Sequence, residues 1–173
     1  MICPNCGHDN LPGSEHCDSC LQDLTQLDQP TAQNRVERSL MEDHVSTLGH
    51  PERRPVTIRP EMSIRQAIDL MLAENVGALL VVDDSGKLIG ILTERDMLLK
   101  IAGIYGDYEQ LFVSDFMTPD PVTVTVDHSL AFAVHKMDIG DLRHLPVVDD
   151  GIPKDVISVR DMLHHITRLC KES

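Results

Sequence analysis

The segment Gly90-Ile91-Leu92-Thr93-Glu94-Arg95-Asp96 returns in altered form as Asp155-Val156-Ile157-Ser158-Val159-Arg160-Asp161. In each copy the apolar end of a strand is followed by Thr or Ser, and an Asp three residues later lies at the start of a helix. The hydroxyl can cap that helix, whose first turn presents unpaired N–H groups and the positive end of its dipole. Such a turn suits a phosphate or a sugar, although the same spacing is also an ordinary capping signature. The duplication favours the binding interpretation.

The match extends well beyond this motif. Ser63 corresponds to Ser129, and the run 81–84 (Val-Val-Asp-Asp) corresponds to the identical run 147–150, each 66 positions apart. After the turn that follows, the offset drops to 65, and a surface turn is where a deletion is tolerated. Self-similarity at a fixed period marks a duplicated structural unit, and two copies indicate a pseudo-symmetric pair.

Each copy reads as strand, helix, strand, turn, strand and helix. Ser63 and Gln66 form a predicted capping box, and the apolar residues after Ser63 recur at helical spacing. The apolar runs 78–82 and 88–92, separated by a polar turn, predict a buried hairpin. The order of elements predicts a small α/β (α+β) unit that is present twice.

Three motifs resemble those of the CBS-domain family: residues 117–124 (Met-Thr-Pro-Asp-Pro-Val-Thr-Val), 144–149 (His-Leu-Pro-Val-Val-Asp) and 90–96. Two tandem copies resemble a CBS pair, or Bateman module, and the resemblance runs from about Asp43 to Thr167. It implies regulatory binding of an adenosine-containing ligand in clefts between the copies. AMP, ADP or ATP is the expected ligand, with S-adenosylmethionine as an alternative. Single CBS pairs often associate in this family, so a homodimer is also expected.

The CBS resemblance assigns several positions to ligand binding. It implies that the Asp of each Thr/Ser-x-x-Asp motif bonds the ribose hydroxyls, that the Thr or Ser lies near ribose and phosphate, and that adenine lies against the first strand. It further implies that residues just before the Leu-Pro-Val-Val strand approach the phosphates in the cleft of the other copy. The resulting candidates are Val56, Thr93, Arg95, Asp96, Thr118, Val122, Arg143, His144, Pro146, Ser158, Arg160 and Asp161.

The two clefts are expected to differ in charge. Arg143 and His144 of the second repeat correspond to the uncharged pair 77–78 of the first. The cleft built on Thr93–Asp96 should receive Arg143 and His144, and is therefore expected to be the better site for an anionic nucleotide. The cleft built on Ser158–Asp161 would then hold an uncharged adenosyl group or stay empty.

Further arginines lie close to these motifs. Arg95 and Arg160 stand at the helix starts of the two clefts, where each either adds positive charge or is simply solvated. Arg53 and Arg54 precede the first strand and are placed near the cleft of Thr93–Asp96.

Residues 1–27 carry two CxxC pairs, Cys3-x-x-Cys6 and Cys17-x-x-Cys20, with ten residues between the pairs. Four thiolates satisfy a tetrahedral structural site, so this layout predicts a zinc ribbon. Two disulfides are the alternative, which a cytosolic chain disfavours. A rubredoxin-like iron site is a further alternative.

This ribbon is acidic. Residues 1–34 contain five acids and no Lys or Arg, and the whole chain has a formal net charge of −13. Phosphate neutralisation supplies most non-specific affinity for nucleic acid, so contact with an unknown protein partner is favoured over nucleic acid. His8 and His16 are expected at the surface, because four cysteines already complete a metal site.

The sequence divides into five parts. These are a zinc ribbon at 1–27, a linker with a helix at 28–49, the first CBS repeat at 50–101, an inter-repeat link at 102–112 and the second CBS repeat at 113–173. In the linker, Val36, Leu40 and either His44 or Val45 predict a weakly amphipathic helix. A comparable helix often packs on the first copy in CBS proteins, which is where this one is expected.

Several function classes find little support. No apolar run approaches the ~18 residues of a membrane span, and the N-terminus does not resemble a signal peptide, so a cytoplasmic chain without a membrane partner is expected. A P-loop, a dinucleotide glycine fingerprint and a nucleophile elbow are all missing from the sequence, which argues against an enzyme.

The leading hypothesis is a non-catalytic sensor. The alternatives are an interaction scaffold with vestigial clefts and, with less support, a nucleic-acid-associated regulator.

Overall fold

The computed structural model describes residues 2–11, 14–24, 32, 34–49, 54–103 and 108–171. The chain divides into two compact units, Met1–Asn34 and Arg35–Ser173. Arg53, the end of the predicted ribbon at 25–27 and the middle of the inter-repeat link at 104–107 lie outside the described residues.

The unit Arg35–Ser173 contains its helices and strands in the order that the repeat predicts. The helices are α1 (Arg35–Glu42), α2 (Ile64–Glu74), α3 (Glu94–Asp96), α4 (Val113–Phe116), α5 (Leu130–Gly140) and α6 (Val159–Lys171). The strands are β1 (Thr57–Ile58), β2 (Ala78–Val82), β3 (Leu88–Thr93), β4 (Thr118–Pro119), β5 (His144–Asp149) and β6 (Ile152–Ser158). A 3₁₀ turn at Val45–Thr47 follows α1, and a π-helical segment at Met97–Ile101 continues α3.

The strands form one small sheet in each repeat. In the first, β1 runs parallel to β2, and β3 lies antiparallel between β2 and β4. In the second, β5 and β6 form an antiparallel hairpin, and a parallel bridge from Val124 to Val147 takes the place of β1. Ile58 pairs with Val81 in the first repeat, 66 positions before that bridge. The strand pairing therefore repeats with the sequence, and the predicted α+β pair is confirmed.

Capping explains where the equivalent helices α2 and α5 begin and end. Ser63 Oγ accepts from the Gln66 N–H and Gln66 Oε1 accepts from the Ser63 N–H, both at 3.2 Å, so the predicted capping box is present. Ser129 caps α5 through its own Oγ. The helices end at Asn75 and Asp141 with φ of 52° and 48°, a left-handed conformation that Asn and Asp tolerate. Each end turns the chain toward the next strand.

Each repeat has its own apolar core. The buried side chains of the first are Ile58, Ile64, Ala67, Met71, Leu79, Val81, Leu92, Ile101 and Val113. Those of the second are Val45, Leu48, Val124, Leu130, Ala133, Met137, Leu145, Val147, Ile157 and Met162. A smaller cluster of Ala78, Leu80 and Ile91 packs with Val156, so the other face of the β2–β3 hairpin lies against β6. The two repeats therefore pack on each other.

The expected position of α1 was wrong. The segment after α1 packs on the second repeat: Val45 N–H donates to the His128 carbonyl at 2.8 Å, and Leu130 N–H donates to the Asp43 carbonyl at 2.9 Å. The side chains of Val45 and Leu48 are buried in the core of the second repeat. The apolar spacing of the linker predicts that a face will be buried but does not say which repeat buries it.

A buried polar network ties α1 to α6. Ser39 Oγ donates to Asp43 Oδ2 and lies 2.7 Å from His165 Nε2, and Ser39 and His165 are only 7% and 6% exposed. Because the single Ser39 proton goes to Asp43, His165 Nε2 must donate to Ser39. Arg168 Nη2 lies 3.3 Å from His165 Nδ1, which therefore accepts. A neutral imidazole satisfies both neighbours, whereas a second proton would oppose the Arg168 donor.

We expect acidification to weaken this network. Burial lowers the pKa of His165, helped by Arg168 on the same helix and opposed by Asp43, which directly follows α1. The unfolded chain therefore takes up the proton first as the pH falls. The stabilisation is present above the ordinary pKa of about 6.5 and is lost as the pH falls from there through the folded-state pKa.

Urea denaturation between pH 7.5 and pH 5 measures this loss as a fall in the free energy of unfolding. His165→Gln keeps a donor for Ser39 but cannot titrate, so its stability should fall less over that range. The exposed neighbour His164→Gln serves as the matched control and should follow the wild type. A His165→Gln slope equal to that of the wild type would contradict the expectation.

Candidate functional site

Described residues of the unit Arg35–Ser173 line a large and a smaller cavity, and the larger one has a volume of about 1060 Å³. Both repeats line it: Val56, Gly77 and Ala78 from the first, and Ser158, Arg160 and Asp161 from the second. Small-molecule sites commonly measure about 300–1,000 Å³. The volume is therefore sufficient for a nucleotide.

The start of α6 forms one wall of the larger cavity. Ser158 donates to Asp161 Oδ2 through its backbone N–H at 2.7 Å and its hydroxyl at 2.6 Å. The Val159 N–H donates to the Arg143 carbonyl at 3.0 Å, which ties the segment before β5 to the helix. The result is the N-terminus of a 13-residue helix with a carboxylate held in a fixed orientation.

Charged side chains of both signs line the larger cavity. The arginines are Arg54, Arg143 and Arg160, all exposed to solvent. The acids besides Asp161 are Glu74, Glu94 and Asp155. A Cβ on Gly77 would lie 3.2 Å from Glu94 Oε2 and 3.2 Å from His144 Nε2. These two polar side chains therefore converge on the glycine, and a larger residue there would force them to move.

The smaller cavity has a volume of about 290 Å³, and the two repeats exchange their roles in it. Thr93, Arg95 and Asp96 come from the first repeat, whereas Val122 and His144 come from the second. Each cavity therefore joins the Thr/Ser-x-x-Asp motif of one repeat to the first strand region of the other.

Asp96 in the smaller cavity is buried, at 8% exposure. Thr93 donates to Oδ2 through its N–H at 2.9 Å and its hydroxyl at 2.6 Å, and Lys100 Nζ lies 2.7 Å from Oδ1. The Thr118 hydroxyl donates to Oδ1 at 3.4 Å. Burial raises the pKa of Asp96, but the Lys100 ammonium and the Thr93 donors outweigh it, so the pKa lies below its ordinary value. The carboxylate is thus ionised and held by four donors.

Arg95 connects the repeats. Its guanidinium forms an ion pair with Asp141 at 2.7 Å and donates to the Asp141 carbonyl at 3.3 Å. With 45% of its side chain exposed, the pair contributes little to stability. It does direct the charge of Arg95 toward the end of α5.

The predicted candidates distribute over both cavities. Thr93, Arg95, Asp96, Thr118 and Val122 line the smaller one, Val56, Arg143, Ser158, Arg160 and Asp161 line the larger one, and His144 lines both. Pro146 is among the lining residues of neither; it is buried in β5, where its carbonyl accepts from the Val124 N–H.

The predicted placement of Arg143 and Arg54 was wrong. Arg143 and Arg54 lie with the Ser158–Asp161 motif in the larger cavity, and not with Thr93–Asp96. The hydrogen bond from Val159 N–H to the Arg143 carbonyl explains this, because it holds Arg143 beside the helix of its own repeat. Only His144 reaches the smaller cavity as expected.

Sequence reasoning overlooked Lys100. It lies four residues after Asp96, a spacing at which side chains on one helix face meet. That signal was present in the sequence.

The unit Met1–Asn34 contains two similar turns, one for each CxxC pair. The Gly7 N–H donates to the Cys3 carbonyl and the Leu21 N–H donates to the Cys17 carbonyl, both at 2.9 Å. Gly7 and Leu21 have positive φ, at 73° and 59°. Glycine adopts a positive φ without strain, whereas the same conformation is strained for Leu21 because of its Cβ atom.

The four thiols of these turns converge. The Sγ atoms of Cys3, Cys6, Cys17 and Cys20 lie within 4.8 Å of one another. The Cys3–Cys20 and Cys6–Cys17 sulfur distances are 3.6 Å. A tetrahedron with Zn–S bonds of about 2.3 Å requires S···S distances of about 3.8 Å, so the donor set fits zinc. All four cysteines are free, and the 3.6 Å sulfur distances are longer than the ~2.05 Å of a disulfide bond.

Comparison with known proteins identifies the family. The family model for the CBS domain matches residues 45–103 and 113–168, most of the unit Arg35–Ser173. The chain belongs to the CBS-domain family. It carries two CBS domains in tandem, as the repeat predicts. No helix among the described residues is long and apolar enough to cross a membrane.

Relatives and solved structures agree with this assignment. The CBS domain-containing protein CBSCBSPB5 of Arabidopsis thaliana is 37% identical over 107 residues, which are 62% of this chain and 19% of that protein. The chain therefore spans about a fifth of the length of this relative. The crystal structure of the CBS domain NE2398 superimposes with a TM-score of 0.67 at 32% identity, covering 72% of this chain and 98% of NE2398.

Two further CBS-pair structures contain ligands. CBSX2 of Arabidopsis thaliana in complex with AMP has a TM-score of 0.64 at 24% identity, over 73% of this chain and 98% of CBSX2. The CBS pair of MJ0100 with 5′-methylthioadenosine and S-adenosyl-L-methionine has a TM-score of 0.64 at 24% identity, over 72% of this chain and 96% of that pair. At this identity the likeness establishes the fold.

Proposed function

We propose that this protein is a non-catalytic sensor that binds an adenine nucleotide in the larger cavity. The observation that carries the proposal is the start of α6, where Ser158 orients the Asp161 carboxylate in a cavity that Arg143, Arg160 and Val56 also line. Asp161 would accept from the ribose hydroxyls, and the arginines would hold phosphate. AMP in CBSX2 and adenosyl compounds in MJ0100 support this ligand class.

The cavity contains charges of both signs, three arginines and the four acids Glu74, Glu94, Asp155 and Asp161, and we infer that the arginines bind the phosphate of AMP, ADP or ATP. Three arginines and the N-terminus of α6 suit an anionic group. S-adenosylmethionine stays the alternative ligand, because its positive sulfonium suits the four acids of the same cavity.

A ligand in this cavity would contact both repeats, so its binding would respond to how the repeats pack on each other. Binding can shift a conformational equilibrium only through different affinities for the two states. Val56 and Arg54 belong to the first repeat and Asp161 to the second, so a change in the packing of the repeats would change the affinity.

We also propose a homodimer. Four large apolar side chains on different helical segments are strongly exposed: Leu72 at 75%, Leu98 at 70%, Ile139 at 71% and Leu163 at 59%. Contiguous apolar surface marks an interaction site, and we infer that Ile139 and Leu163, which lie outside both cavities, belong to such a surface. Sedimentation of the full chain, with Ile139→Ser and Leu163→Ser as variants, distinguishes a dimer from a monomer.

Isothermal titration calorimetry with AMP, ADP, ATP and S-adenosylmethionine tests the sensor. Asp161→Ala should weaken nucleotide binding by about 10- to 100-fold, since it removes charge-assisted hydrogen bonds. Asp96→Ala, the equivalent change in the smaller cavity, should spare binding. Arg160→Ala should weaken ATP while leaving adenosine nearly unaffected.

Two results would contradict the proposal. Equal losses from Asp161→Ala and Asp96→Ala would remove the preference for the larger cavity. If no nucleotide binds, the interaction scaffold with vestigial clefts becomes the better description. Thermal unfolding gives an independent check, because a ligand at 100 times its Kd stabilises by about 2.7 kcal/mol.

For the unit Met1–Asn34 we propose a structural zinc site held by Cys3, Cys6, Cys17 and Cys20. The converging thiols support it. The histidines His8 and His16 are exposed and lie outside this group of four. Native mass spectrometry of the full chain distinguishes zinc from iron. The acidic composition of the unit favours a protein partner over nucleic acid.

A further inference from the structure

Lys100 occupies a specific place beside the carboxylate of the smaller cavity. Its ammonium lies 2.7 Å from Asp96 Oδ1, donates to the Phe116 carbonyl at 2.9 Å and donates to the Thr118 hydroxyl at 3.4 Å. These three acceptors lie on three parts of the chain: α3, α4 and β4. An ammonium has three protons, so the three contacts account for all of its donors.

The equivalent position in the second repeat behaves differently. Lys100 corresponds to His165 at the offset of 65. His165 bonds Ser39 and lies 3.7 Å from Asp43, both belonging to the segment that packs on the second repeat. The residue that covers the carboxylate in one repeat is thus turned toward α1 in the other.

The backbone differs at the same place. Met97–Ile101 is π-helical, whereas α6 continues as an α-helix from Val159 to Lys171. π-Helical turns are rare and occur often at functional sites. The turn carries Lys100, so a change between π and α geometry would move its ammonium relative to Asp96.

We propose that Lys100 closes the smaller cavity to nucleosides by occupying the carboxylate that a ribose diol would otherwise bond. A neutral diol would have to displace a charged donor from a buried carboxylate, which exchanges a stronger hydrogen bond for a weaker one. Lys100 is not one of the lining residues and acts through Asp96 and Thr118, which do line the cavity; its volume of about 290 Å³ is at the lower end for a ligand site. Lys100 therefore determines that the two cavities differ in occupancy. The class of ligand rests on the proposed function.

Native mass spectrometry and calorimetry of the full chain with adenosine and with AMP test this role. The wild type should bind one ligand per chain, and Lys100→Ala should bind two. Lys100→Met retains most of the side-chain volume without the charge and should also gain the second site if charge, more than bulk, closes the cavity. Adding Asp96→Ala to Lys100→Ala should return the ratio to one. Lys87→Ala, which removes an exposed lysine outside both cavities, is the matched control.

A double variant tests the role of Lys100 separately from the proposed nucleotide site in the larger cavity. Asp161→Ala combined with Lys100→Ala leaves only the smaller cavity, so one bound ligand there supports the role of Lys100 even if the larger cavity binds nothing. An unchanged ratio in folded Lys100→Ala and Lys100→Met proteins would overturn it. Weaker total binding in both variants would also overturn it, because Lys100 would then be a ligand contact. Circular dichroism establishes that the variants are folded.

Discussion

Removal of the proposed zinc ion is expected to unfold the unit Met1–Asn34 and to leave the unit Arg35–Ser173 folded. The only buried apolar cluster among the described residues of the smaller unit consists of Cys3, Cys17 and Leu24, with Cys20 packed against it. Three of these four side chains are proposed ligands, so almost no core remains without the ion. Structural zinc in small modules contributes an apparent binding free energy of about 10–16 kcal/mol to folding.

Amide hydrogen exchange of the full chain, with and without a chelator, measures this effect. Amides around both CxxC pairs should lose protection, including the Gly7 and Leu21 N–H groups that bond the Cys3 and Cys17 carbonyls. Cys3→Ser should have the same effect in the presence of zinc. Cys170→Ser, at an exposed cysteine outside the group of four, should change nothing. Protection that survives both chelation and Cys3→Ser would show that the unit folds without metal.

The features that the sequence predicted are those determined by local residue type and spacing. The 66-residue offset placed the equivalent helices and strands, because buried positions recur where the same packing recurs. Ser63 and Gln66 formed their capping box, since its two hydrogen bonds depend on residues three apart. The short spacing within each CxxC pair brings two thiols together, and the four sulfur atoms converge as the paired pattern predicts.

The features that the sequence did not predict depend on how a segment is oriented relative to the rest of the fold. Arg143 was assigned to the wrong cavity because its position is set by a backbone hydrogen bond to Val159, which side-chain chemistry does not encode. The linker helix α1 shows an apolar face in its sequence, but that pattern does not say that α5 and α6 of the second repeat bury it. The π-helical turn that carries Lys100 has no pattern of its own in the sequence.

Truncating equivalent core leucines is expected to destabilise the protein by similar, large amounts. Leu79 in β2 and Leu145 in β5 are 66 positions apart and both are 0% exposed. Leu79→Ala and Leu145→Ala should each lower the free energy of unfolding by about 2–5 kcal/mol, since each leaves a cavity in a separate core. Val126→Ala, at a side chain that is 43% exposed, should cost much less.

The same experiment shows whether the repeats unfold together. Three contacts join the repeats. Strand β4, from the second repeat, pairs with β3 of the first. Arg95 of the first repeat pairs with Asp141 of the second, and Val156 of the second packs on the cluster that contains Ala78 and Leu80 of the first. These links predict one cooperative urea transition, which is usual for a domain of this size. Both variants should therefore shift that single transition. Two transitions, each responding to only one of the variants, would show that the repeats are independent, and a ligand between them would then have no packed interface through which to act.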